Sequence, residues 1–229
     1  MLGRMTRVPD RCGLRAGALA AALLLVVPSG ARAGLFIAKD VGMAMLYWTP
    51  EYRMVEAMYG LTPRLSVGAG ALYLRSDERV AARQQVDVGY LQANWLIHRV
   101  HRPDSVANFY AFGGAGASRG DFFAGTASTW HGGLQADWES RRWYVNGNLH
   151  WWRSEAFSYR IDTLTLGWAP YAADYEDWAT WFLVRGERRL DLTSGTEVFP
   201  ALRLFRRDWW FEIGRSSRGA WMFNVMHVF

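Results

Sequence analysis

From Asp40 onward the chain alternates apolar and polar residues with a period of two, in short segments separated by Gly, Pro and polar turns. Trp221 to Phe229 shows the pattern plainly. Trp221, Phe223, Val225, His227 and Phe229 fall on one face, and Met222, Asn224, Met226 and Val228 on the other. That period belongs to a strand. Twelve such segments can be drawn: Asp40–Trp48, Tyr52–Tyr59, Leu65–Arg75, Val86–His98, Val106–Gly116, Thr129–Trp138, Trp143–Trp152, Phe157–Trp168, Trp178–Glu187, Glu197–Arg206, Trp209–Arg215 and the closing stretch. Ten remain possible, because the first segment and the link at Arg153–Ala156 are the weakest signals. Most segments are about 9 to 12 residues long, the length a tilted strand needs to cross a bilayer.

The faces are chemically distinct. Val145, Leu149 and Trp151 oppose Asn146, Asn148 and His150, and Trp130, Leu134 and Trp138 oppose His131, Gln135 and Asp137. A soluble β-sandwich shares this alternation, so the choice rests on three further features. The first is residues 1–33. A start rich in arginine leads to an apolar run from Ala16 to Val27, a Pro28/Gly30 break and Ala31-Arg32-Ala33. The run is too short to span as a helix and reads as a cleaved signal peptide, with 34–229 as one domain. Taking that leader's five arginines from 26 basic residues, and its one aspartate from 21 acidic ones, leaves a net charge of +1. The basic balance of the full sequence is therefore no argument for nucleic acid. Cys12, the one cysteine, leaves with the leader. The second feature is the 13 tryptophans, all after the leader, in a chain with no later run of helix-spanning length. The third is the terminal Phe229 behind alternating hydrophobic residues.

Together these features resemble Gram-negative outer-membrane β-barrel proteins. The resemblance implies an all-β, closed, up-and-down antiparallel barrel in the cell outer membrane. It also implies contact with membrane lipid and lipopolysaccharide, and assembly through machinery that reads Phe229. His227 departs from the aromatic residue usual at that position. Among the loop arginines, Arg75, Arg79, Arg83 and Arg119 suit lipopolysaccharide phosphates, since the guanidinium fork matches them.

Parity turns Glu56, Asp137, Arg185, Glu187, Glu197, Arg203 and Glu212 inward, and Arg160 and Asp162 with them. Those last two share a face with Leu164, Leu166 and Trp168, so either a bulge or the opposite local facing is expected there. Such a lumen reads as a mixed-charge network filling a narrow barrel or as a selective path for a small solute or ion. A narrow channel or transporter is the functional expectation, with a non-conducting structural or interaction barrel as the alternative.

Six methionines follow the leader: Met43, Met45, Met54, Met58, Met222 and Met226. They occur in the first, second and last segments only, which are neighbours in a closed barrel, and parity points all six inward with Glu56, which predicts one thioether patch on the lumen wall. Thioethers suit Cu(I) over hard ions, so these seven residues are the candidate metal set. Packing of a narrow lumen by adaptable side chains explains the same pattern. No cofactor is otherwise indicated. His98 and His101 are placed at a turn, and His131 and His150 on neighbouring strands within the polar network. Enzymatic barrels that act on lipids carry a Ser nucleophile beside a His base, in a His-x-Ser-like element. Here His150 and Ser154 are four apart and Ser158 lies on the next segment. No enzymatic activity is expected, and a lipid-modifying enzyme is the remote alternative.

Overall fold

The computed structural model describes residues 38–76, 84–190 and 195–229. The expected leader, Arg79 and Arg83 lie outside the described residues. Twelve strands are present: β1 Gly42–Trp48, β2 Tyr52–Thr62, β3 Leu65–Arg75, β4 Gln85–Arg102, β5 Ser105–Gly120, β6 Ala127–Ser140, β7 Trp143–Ser154, β8 Ser158–Trp168, β9 Ala179–Leu190, β10 Thr196–Arg206, β11 Trp209–Arg215 and β12 Trp221–Val228. Each pairs antiparallel with its sequence neighbours, and β1 pairs with β12 to close the barrel. Backbone bonds in both directions between Gly42 and Phe229, at 2.7 and 2.9 Å, extend that seam. Closure gives the strand backbones partners without recourse to water, which is what lipid demands. The Arg153–Ala156 link is a genuine turn, fastened by Ser154 N–H donating to Phe157 O at 2.9 Å.

Five of the eleven connections share one rim with the two ends of the barrel. The other six form the opposite rim, called outer below. Between the rims the outside wall is apolar. Leu91, Leu164, Leu166, Phe182 and Val184 each expose half or more of their surface. Tryptophans band this wall at both ends. Trp138, Trp143, Trp168 and Trp209 lie near the terminal rim, and Trp48, Trp130 and Trp221 near the outer one. At the outer rim Arg53, Arg153 and Arg215 lay their guanidinium groups over Trp48, Trp130 and Trp221 at 5.5 to 5.9 Å. This cation–π packing keeps the charge outward while the stem covers apolar surface.

Two expectations are corrected. Arg160 and Asp162 face outward, with no register shift in β8. They lie near the start of β8 at the outer rim and pair with each other at 2.6 Å, where a charge escapes the cost it meets at mid-wall. His98 and His101 sit on β4, which continues to Arg102 through a bulge between Leu96 and His98. Both are exposed, and the close i, i+3 approach of a turn is absent. Trp152, Trp181 and Trp210 point into the barrel and take no part in the bands.

The wall is uneven in height. The β3–β4 ladder ends at Leu65 opposite Trp95, whereas β4 and β5 remain paired down to Arg102 and Ser105. A hairpin therefore overhangs the terminal rim beyond β3. Across the same rim, the β8–β9 connection is strapped to the β10–β11 turn. Arg207 pairs with Glu176 there, and Tyr175 donates to Asp208 at 2.7 Å.

Candidate functional site

Inward positions fill the outer half of the lumen with a packed layer. Trp152 and Phe199 are fully buried and pack with Tyr52, Leu72, Val88 and Tyr159. Large rings fit because facing positions are small. A Cβ on Gly70 would collide with the Tyr90 phenol, and one on Gly114 with the His131 ring and the Leu91 carbonyl. The glycines of β3 and β5 thus give lumenal space to side chains from β4 and β6.

A cavity lies on each side of this layer. On the outer side, Leu74, Val86, Phe157 and Tyr159, with Ser76 and Gln84, surround about 310 Å³. On the terminal side a cavity of about 200 Å³ extends toward the rim. Its walls differ in chemistry. Met43, Met45, Met54, Met226 and Glu56 form the wall from β1, β2 and β12. Facing them from β4, β6 and β7 is a carboxamide wall of Gln92, Asn94, Gln135, Asn146 and Asn148. These amides are linked: Asn148 donates to Gln135 at 3.1 Å, and Gln92 to Asn94 at 2.7 Å. Asp137 accepts from Asn108 at 2.6 Å, and Arg99 holds Asn108 in turn.

The third wall is charged. Arg185 and Arg203 both bind Glu212, at 2.6 and 3.2 Å, and Arg203 lies between the rings of Tyr144 and Trp210 at 4.5 and 4.3 Å. Above it Arg189, 1% exposed, contacts Glu187 at 2.6 Å, Glu51 at 3.2 Å and Glu197 at 3.7 Å. Tyr47 completes this group by donating to Glu187 at 2.9 Å. All seven of the other charges expected inward are buried. Arg189 itself is missing from that expectation, because the ninth segment was ended at Glu187. The signal was available, since Arg185, Glu187 and Arg189 share one parity.

His131 and His150 meet as neighbours, with Nδ1 and Nε2 3.1 Å apart, and His131 stacks on Trp152 at 4.2 Å. The pair buttresses the aromatic layer, and His131 also meets the Leu91 backbone.

The candidate metal residues all face the lumen but do not form one patch. Met43, Met45, Met58 and Met226 pack together, while Met54 and Met222 belong to the packing of the aromatic layer. The Met222 sulfur accepts from Arg185 at 3.2 Å, and that of Met54 from the Tyr52 hydroxyl at 3.2 Å. Glu56 lies between the two groups, and Tyr90 donates to its carboxylate at 2.6 Å.

No protein-family model matches the chain, and no curated protein matches it. Two solved structures are similar in backbone course. A KdgM porin in complex with disordered oligogalacturonate is 8% identical with a TM-score of 0.47, and a KdgM porin is 10% identical with the same score. In both cases 82% of this chain and 99% of the other are covered.

Proposed function

We propose that this protein is an integral outer-membrane barrel offering a narrow, aromatic-gated passage to a small polar or ionic solute. The observation that carries this reading is the pair of lumenal cavities set back to back across one packed layer, inside a wall that is apolar on its outside. Amides and paired charges line the terminal cavity, so a solute shedding its water meets donors and acceptors there. The membrane location rests on the outer wall: an apolar belt between two tryptophan bands, with arginines above the outer one, is the surface a bilayer selects. Arg53, Arg153, Arg215 and Arg119 would meet lipopolysaccharide phosphates at that level, and Phe229 would present the barrel to the assembly machinery. No enzymatic step is proposed.

The density of the layer favours one competing reading, a barrel that binds within its lumen and does not conduct. Liposome swelling and planar-bilayer conductance separate the two. The wild type is expected to pass small solutes slowly, and Trp152→Ala several-fold faster, because removing a fully buried indole opens the partition between the cavities. A folded barrel that stays silent in both forms would leave the non-conducting reading standing.

A further inference from the structure

We propose that the thioether wall is a binding site for a soft monovalent metal ion, copper(I) or silver(I), held by Met45, Met226 and Glu56 with Met43 and Met58 beside them. The inference concerns binding, and it stands whether or not the aromatic layer opens.

The register assembles the donors. Met226, Met45 and Glu56 are directly opposite one another across β12, β1 and β2, and Met43 is opposite Met58 in the adjacent row. Directly opposed side chains on one face stand about 4.5 to 5.5 Å apart at Cβ. Unbranched thioethers bridge that distance with small changes in torsion. Met43, Met45, Met226 and Glu56 also line the same cavity, so an ion can reach them.

Charge supplies the second argument. Glu187 and Glu197 contact Arg189, and Glu212 contacts two arginines. Glu56 is 7% exposed and is bonded by a neutral phenol. A buried carboxylate without a counter-charge is costly, and a single positive charge among neutral sulfurs removes that cost. Hard divalent ions are poorly served, since they need six or more oxygens. Among the described residues no group of three or more His, Cys, Asp or Glu is arranged so that it could hold a metal ion. Thioether-rich surroundings with one carboxylate select a soft ion of low charge. Met222 is set apart by the Arg185 guanidinium on its sulfur, which repels a cation.

The test is a titration of the purified barrel in detergent with Cu(I), under ascorbate and without oxygen, against a chromogenic Cu(I) chelator. Ag(I) calorimetry runs in parallel. The wild type should bind one ion per barrel. Met45→Leu/Met226→Leu should lose at least tenfold in affinity, Glu56→Gln should bind more weakly, and Met222→Leu should match the wild type. Met-to-Leu exchanges conserve volume and keep the fold; heat-modifiable migration in SDS gels checks each variant. Absence of binding by the wild type overturns the site, as does wild-type affinity in either the double variant or Glu56→Gln.

Discussion

Replacing Arg189 with methionine is expected to destabilise the folded barrel by about 3–5 kcal/mol, the cost of breaking a buried ion pair by removing one partner. Arg189 is 1% exposed, and its guanidinium is the shared counter-charge of Glu187, Glu197 and Glu51, carried on three different elements of the outer half. Methionine keeps much of the stem packing and deletes the charge. Glu187 is then left buried with the Tyr47 hydroxyl and the more distant Arg185. The measurement is urea unfolding in lipid vesicles, read by tryptophan fluorescence and gel migration. Adding Glu187→Gln to the Arg189→Met background should return part of the loss, because it removes one orphaned carboxylate. A loss under about 1 kcal/mol, the range of surface pairs, would show that the network contributes little.

Val184→Arg carries the second large effect, about 2–4 kcal/mol in a bilayer. Val184 lies in the middle of β9 on the outer wall and exposes 53% of its surface. In water a guanidinium at such a site is nearly neutral in cost; in hydrocarbon it must bend toward a headgroup layer it does not easily reach. The chain supplies its own control in Arg160, which is outward but at the rim, where Asp162 and headgroup water are at hand. Unfolding of Val184→Arg and of a lysine at position 160, side by side in vesicles, should show a large loss in the first and little change in the second. Equal, small effects would remove the outer wall from lipid altogether.

The twelve strands were legible because the outward face of this barrel is apolar while its inward face mixes amides, charges and rings, so parity carries a strong signal along most segments. Strand ends were harder. Ile97 sits in a bulge that resets parity, and the run His98-Arg99-Val100-His101-Arg102 resembles a loop although it is paired to β5. The same charge density concealed Arg189, just past Glu187. Arg160 and Asp162 were turned inward by a rule that holds at mid-wall and lapses at the rim. The inward face of the methionines was readable, but the expectation of a single patch followed from strand adjacency and took no account of distance along each strand. Met222 and Met226 are four residues apart, and at about 3.3 Å per residue that is roughly 13 Å along β12. One compact patch could not include both. Whether rings or water fill the lumen depends on the stagger between strands and on where glycines face aromatics, as Gly70 faces Tyr90. Neither is visible within a single segment.

A cylinder of strands has no free side, yet the hairpin that overhangs the terminal rim restores one. Beyond Leu96, whose N–H still reaches the Arg64 carbonyl at 2.8 Å, the side of β4 turned toward β3 has no ladder partner among the described residues. An unmatched strand of this kind is a template on which another chain can add. Here it begins with a bulge and carries His98, His101 and Arg102 along its exposed length. The bulge twists the template out of register, and two copies meeting there would bring their Arg102 charges together. The overhang can thus stand clear of the barrel without seeding strand exchange between copies during assembly.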